Sequence, residues 1–193
     1  MKRFVFDLDE TLVRGDIITV ASRQLIAEGK IDRLYTGRDV TNWKMDGVPE
    51  AVSKRAVELF SNVDYAVWQK EPIAGVISFL NYLHSMGHKI CILTARPMEC
   101  HADTYDYVDD TFPNIIENVI CVKSGPNGSK LPDLAKLNPT YYFDDNLTFC
   151  EEARLLGAST YLVSNEHTPW NHYVVHHEIQ RIKNVCFFPN QFL

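Results

Sequence analysis

RFVFDLDETLV, residues 3–13, places two aspartates, Asp7 and Asp9, at the end of an apolar run that reads as a strand. A carboxylate taken out of water costs several kcal/mol unless it is paired or bound to a metal. Carboxylates at the end of a buried strand therefore call for a partner. The rest of the chain is read for what that partner is.

Four further apolar runs read as strands: Lys89–Leu93, Asn118–Val122, Thr140–Phe143 and Ser159–Val163, with the first extending over Arg3–Leu8. They are continuous rather than alternating, as strands covered on both faces are. Helical patterns lie between them. Residues 76–87 (VISFLNYLHSMG) carry Val76, Phe79, Leu80 and Leu83 at helical spacing and stop at Gly87. MECHADTYDYV follows Pro97, and LPDLAKL and TFCEEARLLG fill the later gaps, the last ending at Gly157. Strands alternating with helices predict an α/β fold, a doubly wound parallel sheet with a Rossmann-like core.

Between Val13 and Pro72 no good strand is apparent, and ITVASRQLIAEG and VPEAVSKRAVELFSN both read as helices. The expected organisation is a core of residues 1–16 and 71–193 with a small helical insert at 17–70. The segment HYVVHHEIQRI, residues 172–182, reads as a last helix. On it His172 and His176 share a face, and an incidental surface role is expected for them, because no Glu stands where a metalloprotease helix needs one.

Composition narrows the function classes. The 193 residues fit one domain with an insert, and the net charge of −6 disfavours a broad electrostatic grip on nucleic acid. No stretch approaches the length of a membrane span, and the strand-like start leaves no room for a signal peptide, so a cytoplasmic protein without membrane contact is expected. The five cysteines are odd in number and form no C-x-x-C pair, which fits reduced thiols and argues against a zinc site.

Open parallel sheets bind ligands outside the carboxyl ends of their strands. Asp7 and Asp9 fall there, and TYYF delivers a second acidic pair, Asp144–Asp145, at the equivalent place. If those strands are neighbours, several carboxylates converge, and a hard divalent cation such as Mg²⁺ resolves their repulsion. Asp7 then suits a carboxylate nucleophile toward phosphorus. Asp9, two residues on, suits the general acid and base, with a pKa expected to be raised by its acidic neighbours. Thr94 ends the strand in CILTARP, where its hydroxyl and backbone N–H suit a phosphate oxygen, and Lys130 precedes the acidic pair by 14 positions, where it suits the phosphoryl charge. GPNGSK lacks the spacing of a nucleoside-triphosphate loop.

The order strand–DxDxT, strand–T, Lys, strand–DD resembles the haloacid dehalogenase-like (HAD) phosphohydrolase superfamily across nearly the whole chain. DLDETLV matches its first motif, ILTARP the second, Lys130 the third and YYFDDN the fourth. The resemblance implies a squiggle-and-flap turn after Asp9 and an insert acting as a cap. It also implies Mg²⁺ held by the Asp7 carboxylate, the Asp9 backbone carbonyl and Asp144, with Asp145 close by. Thr94, Ala95, Arg96 and Lys130 are the substrate-side candidates, with Lys123 the rival for the lysine.

Within that superfamily the sequence looks most like phosphatases of nucleotides or nucleic-acid ends, acting on a small phosphorylated substrate, and a homodimer is left open. Arg38, Trp43, Lys44 and Trp68 are the insert residues with the chemistry to meet a base or phosphate. The alternatives are a protein phosphatase of the RNA polymerase tail-domain type, which generally lacks such an insert, and a non-catalytic binding module on the same fold.

Overall fold

The structure, a computed structural model, describes residues 1–41, 45–60, 70–122, 128–165, 168, 171, 172 and 174–189. Its centre is a six-stranded sheet of β1 (Arg3–Phe6), β4 (Lys89–Thr94), β5 (Asn118–Cys121), β6 (Tyr141–Asp144), β7 (Ser159–Val163) and β8 (Ile179–Ile182). The spatial order is β5-β4-β1-β6-β7-β8, and every pair is parallel. Phe4 of β1 faces Ile90 on one side and Tyr141 on the other.

Side chains alternate across the sheet, and each face has its own core. Phe4, Phe6, Ile92 and Phe143 point to the face covered by α3 (Val76–Ser85) and α4 (His101–Thr111), through Phe79, Leu80 and Val108. Val5, Cys91, Leu93 and Tyr142 point to the other, covered by α5 (Leu131–Leu137) and α6 (Leu147–Leu155), through Leu134, Phe149 and Ala153. Burial on both faces is why these strands read as unbroken apolar runs. On the first face Phe6, Phe143 and Tyr161 stack across three neighbouring strands, with ring centroids 4.6 and 4.9 Å apart, and Phe188 stands edge-on against the stack. All five cysteines are free.

Two helices, α1 (Ile17–Ala27) and α2 (Glu50–Phe60), pack on one another around a separate apolar cluster that includes Ile18, Leu25, Val52 and Ala56. Asp16 caps α1, accepting from the backbone N–H of Thr19 and from that of Gly37 at 3.0 Å. The chain enters and leaves this pair of helices through a two-residue antiparallel ladder, β2 (Val13–Arg14) against β3 (Glu71–Pro72), too short to show in the sequence pattern. Among the described residues no helix is long and apolar enough to cross a membrane.

The C-terminal region corrects the sequence reading. The described residues among 172–182 form no helix: Ile179–Ile182 adds the edge strand β8 beside β7, and Val175 is 88% exposed. Ile179 and Ile182 have a spacing that suits a helix face as well as a strand, and pairing with the open edge of β7 decides between them. His172 and His176 thus share no helical face; His172 Nε2 lies 2.9 Å from the Asn165 carbonyl oxygen.

Candidate active site

β1 and β6 are adjacent, so their carboxyl ends open at one place. The backbone N–H of Asp7 donates to the Phe143 carbonyl at 2.8 Å, carrying the pairing one residue past β1 and setting Asp7 beside Asp144. After Asp9 the chain coils through one turn, in which the N–H groups of Leu12 and Val13 both reach the Leu8 carbonyl. Glu10 stands at φ +58° within that turn, and the chain returns as β2.

Lys130 joins the two strand ends. It precedes α5, its side chain is wholly buried, and its Nζ donates to Asp7 Oδ1 and to Asp144 Oδ2, each at 2.7 Å. The lysine is itself anchored, its backbone N–H donating to Glu152 Oε2 at 2.8 Å and its ammonium standing 4.7 Å from the centre of the Phe149 ring. Asp144 accepts two more bonds, from the Tyr142 hydroxyl at Oδ2 and from the Asn146 N–H at Oδ1. Tyr142 lies two residues before Asp144 on the same strand and so on the same face. Asn171 ties the neighbouring strand ends together, donating from its side chain to the carbonyls of Asp145 and Val163.

Asp7, Asp144 and Asp145 each bring a carboxylate oxygen within 4.8 Å of the others, and all three are buried. Burial pushes Asp7 up to about 7, with Asp144 and Asp9 adding to the rise and Lys130 pulling against it. Burial, then Asp144 and Asp7, raise Asp145 well above the usual carboxylate range. For Lys130 burial works against the charge, but Asp144 and Asp7 outweigh it and hold the ammonium protonated. Three buried carboxylates share one buried ammonium, so a hard cation fits the remaining negative charge, and an all-oxygen donor set suits Mg²⁺.

Asp9 has a different environment. Arg96, 1% exposed at the end of β4, grips it with a fork: Nε donates to Oδ2 and Nη2 to Oδ1, both at 2.9 Å. Lys70 adds a second cation, its Nζ 3.2 Å from Asp9 Oδ1. Burial alone pushes Asp9 up, but Arg96 and Lys70 outweigh it and hold the carboxyl well below its ordinary range. The expectation of a raised pKa is therefore corrected: its partners are cations rather than the other acids. Arg96, expected on the substrate side, is turned inward to Asp9, and its Nη1 donates to Thr104 Oγ1 at 3.3 Å.

Thr94 is buried at the end of β4, its hydroxyl oxygen accepting from the Arg96 N–H at 3.2 Å, and Ala95 is half-buried between them. Arg38 is exposed in the 3-10 turn Gly37–Asp39. Lys123, Trp43, Lys44 and Trp68 lie outside the described residues. Lys70, Tyr142 and Asn171 were not singled out in the sequence. For Tyr142 a signal existed, a hydroxyl two residues before an acid on a buried strand; for Lys70 none did.

No family model and no curated protein matches the chain by sequence. Solved structures match by fold. One is a provisionally assigned phosphoglycolate phosphatase from Lactobacillus delbrueckii subsp. bulgaricus, at TM-score 0.66 and 18% identity over 94% of this chain and 95% of that one. A haloacid dehalogenase-like family hydrolase from Streptococcus pneumoniae gives 0.60 and 14% over 95% and 94%. CbbY from Rhodobacter sphaeroides, solved in complex with phosphate, gives 0.55 and 14% over 94% and 92%. The chain has the α/β fold of these HAD-superfamily structures.

Proposed function

We propose that this chain is a metal-dependent phosphomonoesterase that works through an aspartyl-phosphate on Asp7. One observation carries the reading: Asp7 and Asp144, at the carboxyl ends of adjacent strands, are bridged by one buried lysine at 2.7 Å on each side. Such a site supplies a nucleophilic oxygen beside fixed positive charge, which is what phosphoryl transfer needs most.

The residues that would hold Mg²⁺ are Asp7, Asp144 and Asp145, joined by the backbone carbonyl of Asp9. When bound, the ion supplies charge neutralisation for the carboxylates and for the phosphoryl oxygens. In the first step a carboxylate oxygen of Asp7 attacks phosphorus, and the bond to the leaving oxygen breaks with its electron pair going to that oxygen. Lys130 stabilises the charge on the transferring group, with the Thr94 hydroxyl and the backbone around Ala95 assisting. In the second step water attacks the same phosphorus, the bond to Asp7 breaks, and the electron pair returns to the carboxylate.

Asp9 takes the proton of that water. Held between Arg96 and Lys70 it is ionised, which suits a base. In the first step Asp9, protonated from solvent on the second lone pair of Oδ2, gives that proton to the leaving oxygen, and the proton taken from the water in the second step restores it.

The finer substrate reading, a nucleotide or a nucleic-acid end, rests on the sequence resemblance. Phosphoglycolate, named for one structure of the same fold, is the small-acid competitor. Phosphate release is to be measured with Mg²⁺ across nucleoside 5′- and 3′-monophosphates, phosphoglycolate, sugar phosphates and phosphopeptides, with p-nitrophenyl phosphate as general probe. Release that is abolished by Asp7→Asn supports the reading. Undiminished release by that variant rejects the nucleophile, and a preference for phosphopeptides moves the assignment to a protein phosphatase.

A further inference from the structure

We infer that Arg96 is a positioning residue that acts on the reaction through Asp9 rather than by touching substrate; the inference rests on the phosphatase reading above. An arginine following a threonine at a phosphate-binding strand end is easily taken for a substrate ligand. Its surroundings here assign it elsewhere. The guanidinium is 1% exposed, and three of its nitrogens are committed: two to the separate oxygens of Asp9 and one to Thr104 Oγ1. Its Cζ lies 5.8 Å from the centre of the Tyr107 ring, which closes a further side. With the side chain 1% exposed, a phosphate cannot reach the two N–H donors left over unless the group moves from its seat.

The geometry of the grip matters more than its charge. A bidentate fork fixes the orientation of a carboxylate as well as its position, which a point charge does not. Arg96 issues from the end of β4, a strand bonded directly to β1, so the fork is referred to the same sheet as Asp7. Lys70 meets Asp9 Oδ1 at 3.2 Å with a compact ammonium, a point charge rather than a planar fork, and comes from the connection leading back from α2. It adds charge without fixing the plane. Misplacing an acid–base group by about 1 Å is enough to cost on the order of 100-fold in rate.

The test is a double-mutant cycle on kcat with p-nitrophenyl phosphate, using Arg96→Met, Asp9→Asn and the pair, with thermal melts of each. The expected result for Arg96→Met is a fall in kcat of about 100-fold with KM within about threefold, and a further loss of less than about threefold when it is added to Asp9→Asn. Arg96→Lys, which keeps the charge and loses the fork, should recover only about a tenth of the activity. If Arg96→Met fails to fold, the same cycle is run with Arg96→Lys. A rise in KM with kcat intact makes Arg96 a substrate ligand and overturns the inference. So do fully multiplicative losses in the cycle, or full activity of a folded Arg96→Lys. Absence of phosphate release by the wild-type protein overturns the phosphatase reading itself, a different result from turnover that is indifferent to Arg96.

Discussion

The ammonium of Lys130 stands 2.7 Å from Oδ1 of Asp7 with neither group open to bulk solvent. The lysine spends its charge on Asp144 equally, so one cation serves two buried carboxylates. Removing one partner of such a set is costly because the acids stay buried while their counter-charge is gone. Lys130→Met is therefore expected to destabilise the metal-free protein by about 3–5 kcal/mol at pH 8 in urea unfolding. The loss should shrink at pH 5, where Asp7 is protonated and leans less on the ammonium. A loss of the same size at both pH values would mean that the lysine matters for packing and not for charge.

Asp7 itself should make the metal-free protein less stable as pH rises. Its carboxyl titrates near 7 in the folded chain, against 3.8 for an ordinary aspartate, with burial the main cause. Between those values the folded state keeps a proton that the unfolded state has released. The unfolded state then binds fewer protons, and stability falls with rising pH across roughly 4 to 7 and levels off above. The full effect is about 4 kcal/mol. Asp7→Asn, which resembles the protonated acid, should accordingly melt higher than the wild type at pH 8 without metal and lose that advantage at pH 4. Equal melting temperatures at pH 8 would show that the Asp7 charge carries no penalty.

A glycine links the helical pair to the candidate acid–base group. A Cβ on Gly15 would come within 2.3 Å of Lys70 Nζ and 2.4 Å of its Cδ, so the lysine chain lies directly on this glycine on its way to Asp9. The obstructing atoms belong to a flexible side chain, but that chain is buried and paired with Asp9. Gly15→Ala should thus displace the Lys70 ammonium from Asp9 and lower stability by about as much as Lys70→Met does. Its effect on kcat should match that of Lys70→Met, and the two together should do no more than either alone. Additive effects would separate the glycine from the lysine.

The parts of this fold that show in the sequence are those set by local pattern. β7 matches its expected span, Ser159–Val163, and α5 its span, Leu131–Leu137, because a strand buried on both faces and a short amphipathic helix each leave a direct hydrophobic signature. Residues 179–182 were misread for the converse reason: four residues with two isoleucines satisfy either period, and only the neighbouring β7 chooses. The site divides in the same way. Asp7 and Asp144 could be nominated because acids at strand ends are anomalous wherever they occur, and Lys130 only because its place ahead of the last acidic pair fits the motif order of the superfamily the sequence resembles. The environment of Asp9 was not legible, since Arg96 is 87 positions away and pairing at that distance is a product of the strand order β4-β1-β6.

Metal removal gives the last expectation. The three acids at 7, 144 and 145 are partly neutralised by Lys130 and hold each other's charge at short range, so a divalent ion that enters should bind the folded chain and not the unfolded one. Such a ligand stabilises by an amount set by its concentration over its dissociation constant, about 2.7 kcal/mol at a hundredfold excess. Mg²⁺ added to chelator-treated protein should raise the melting temperature in proportion to the logarithm of its concentration. Asp145→Asn, which removes a carboxylate able to ionise onto the cation, should gain less from Mg²⁺ than the wild type. Phosphate release should vanish with chelator and return with Mg²⁺ over the concentration range in which the melting temperature rises. Activity that returns in a range where stability does not move would place the functional ion outside this carboxylate cluster.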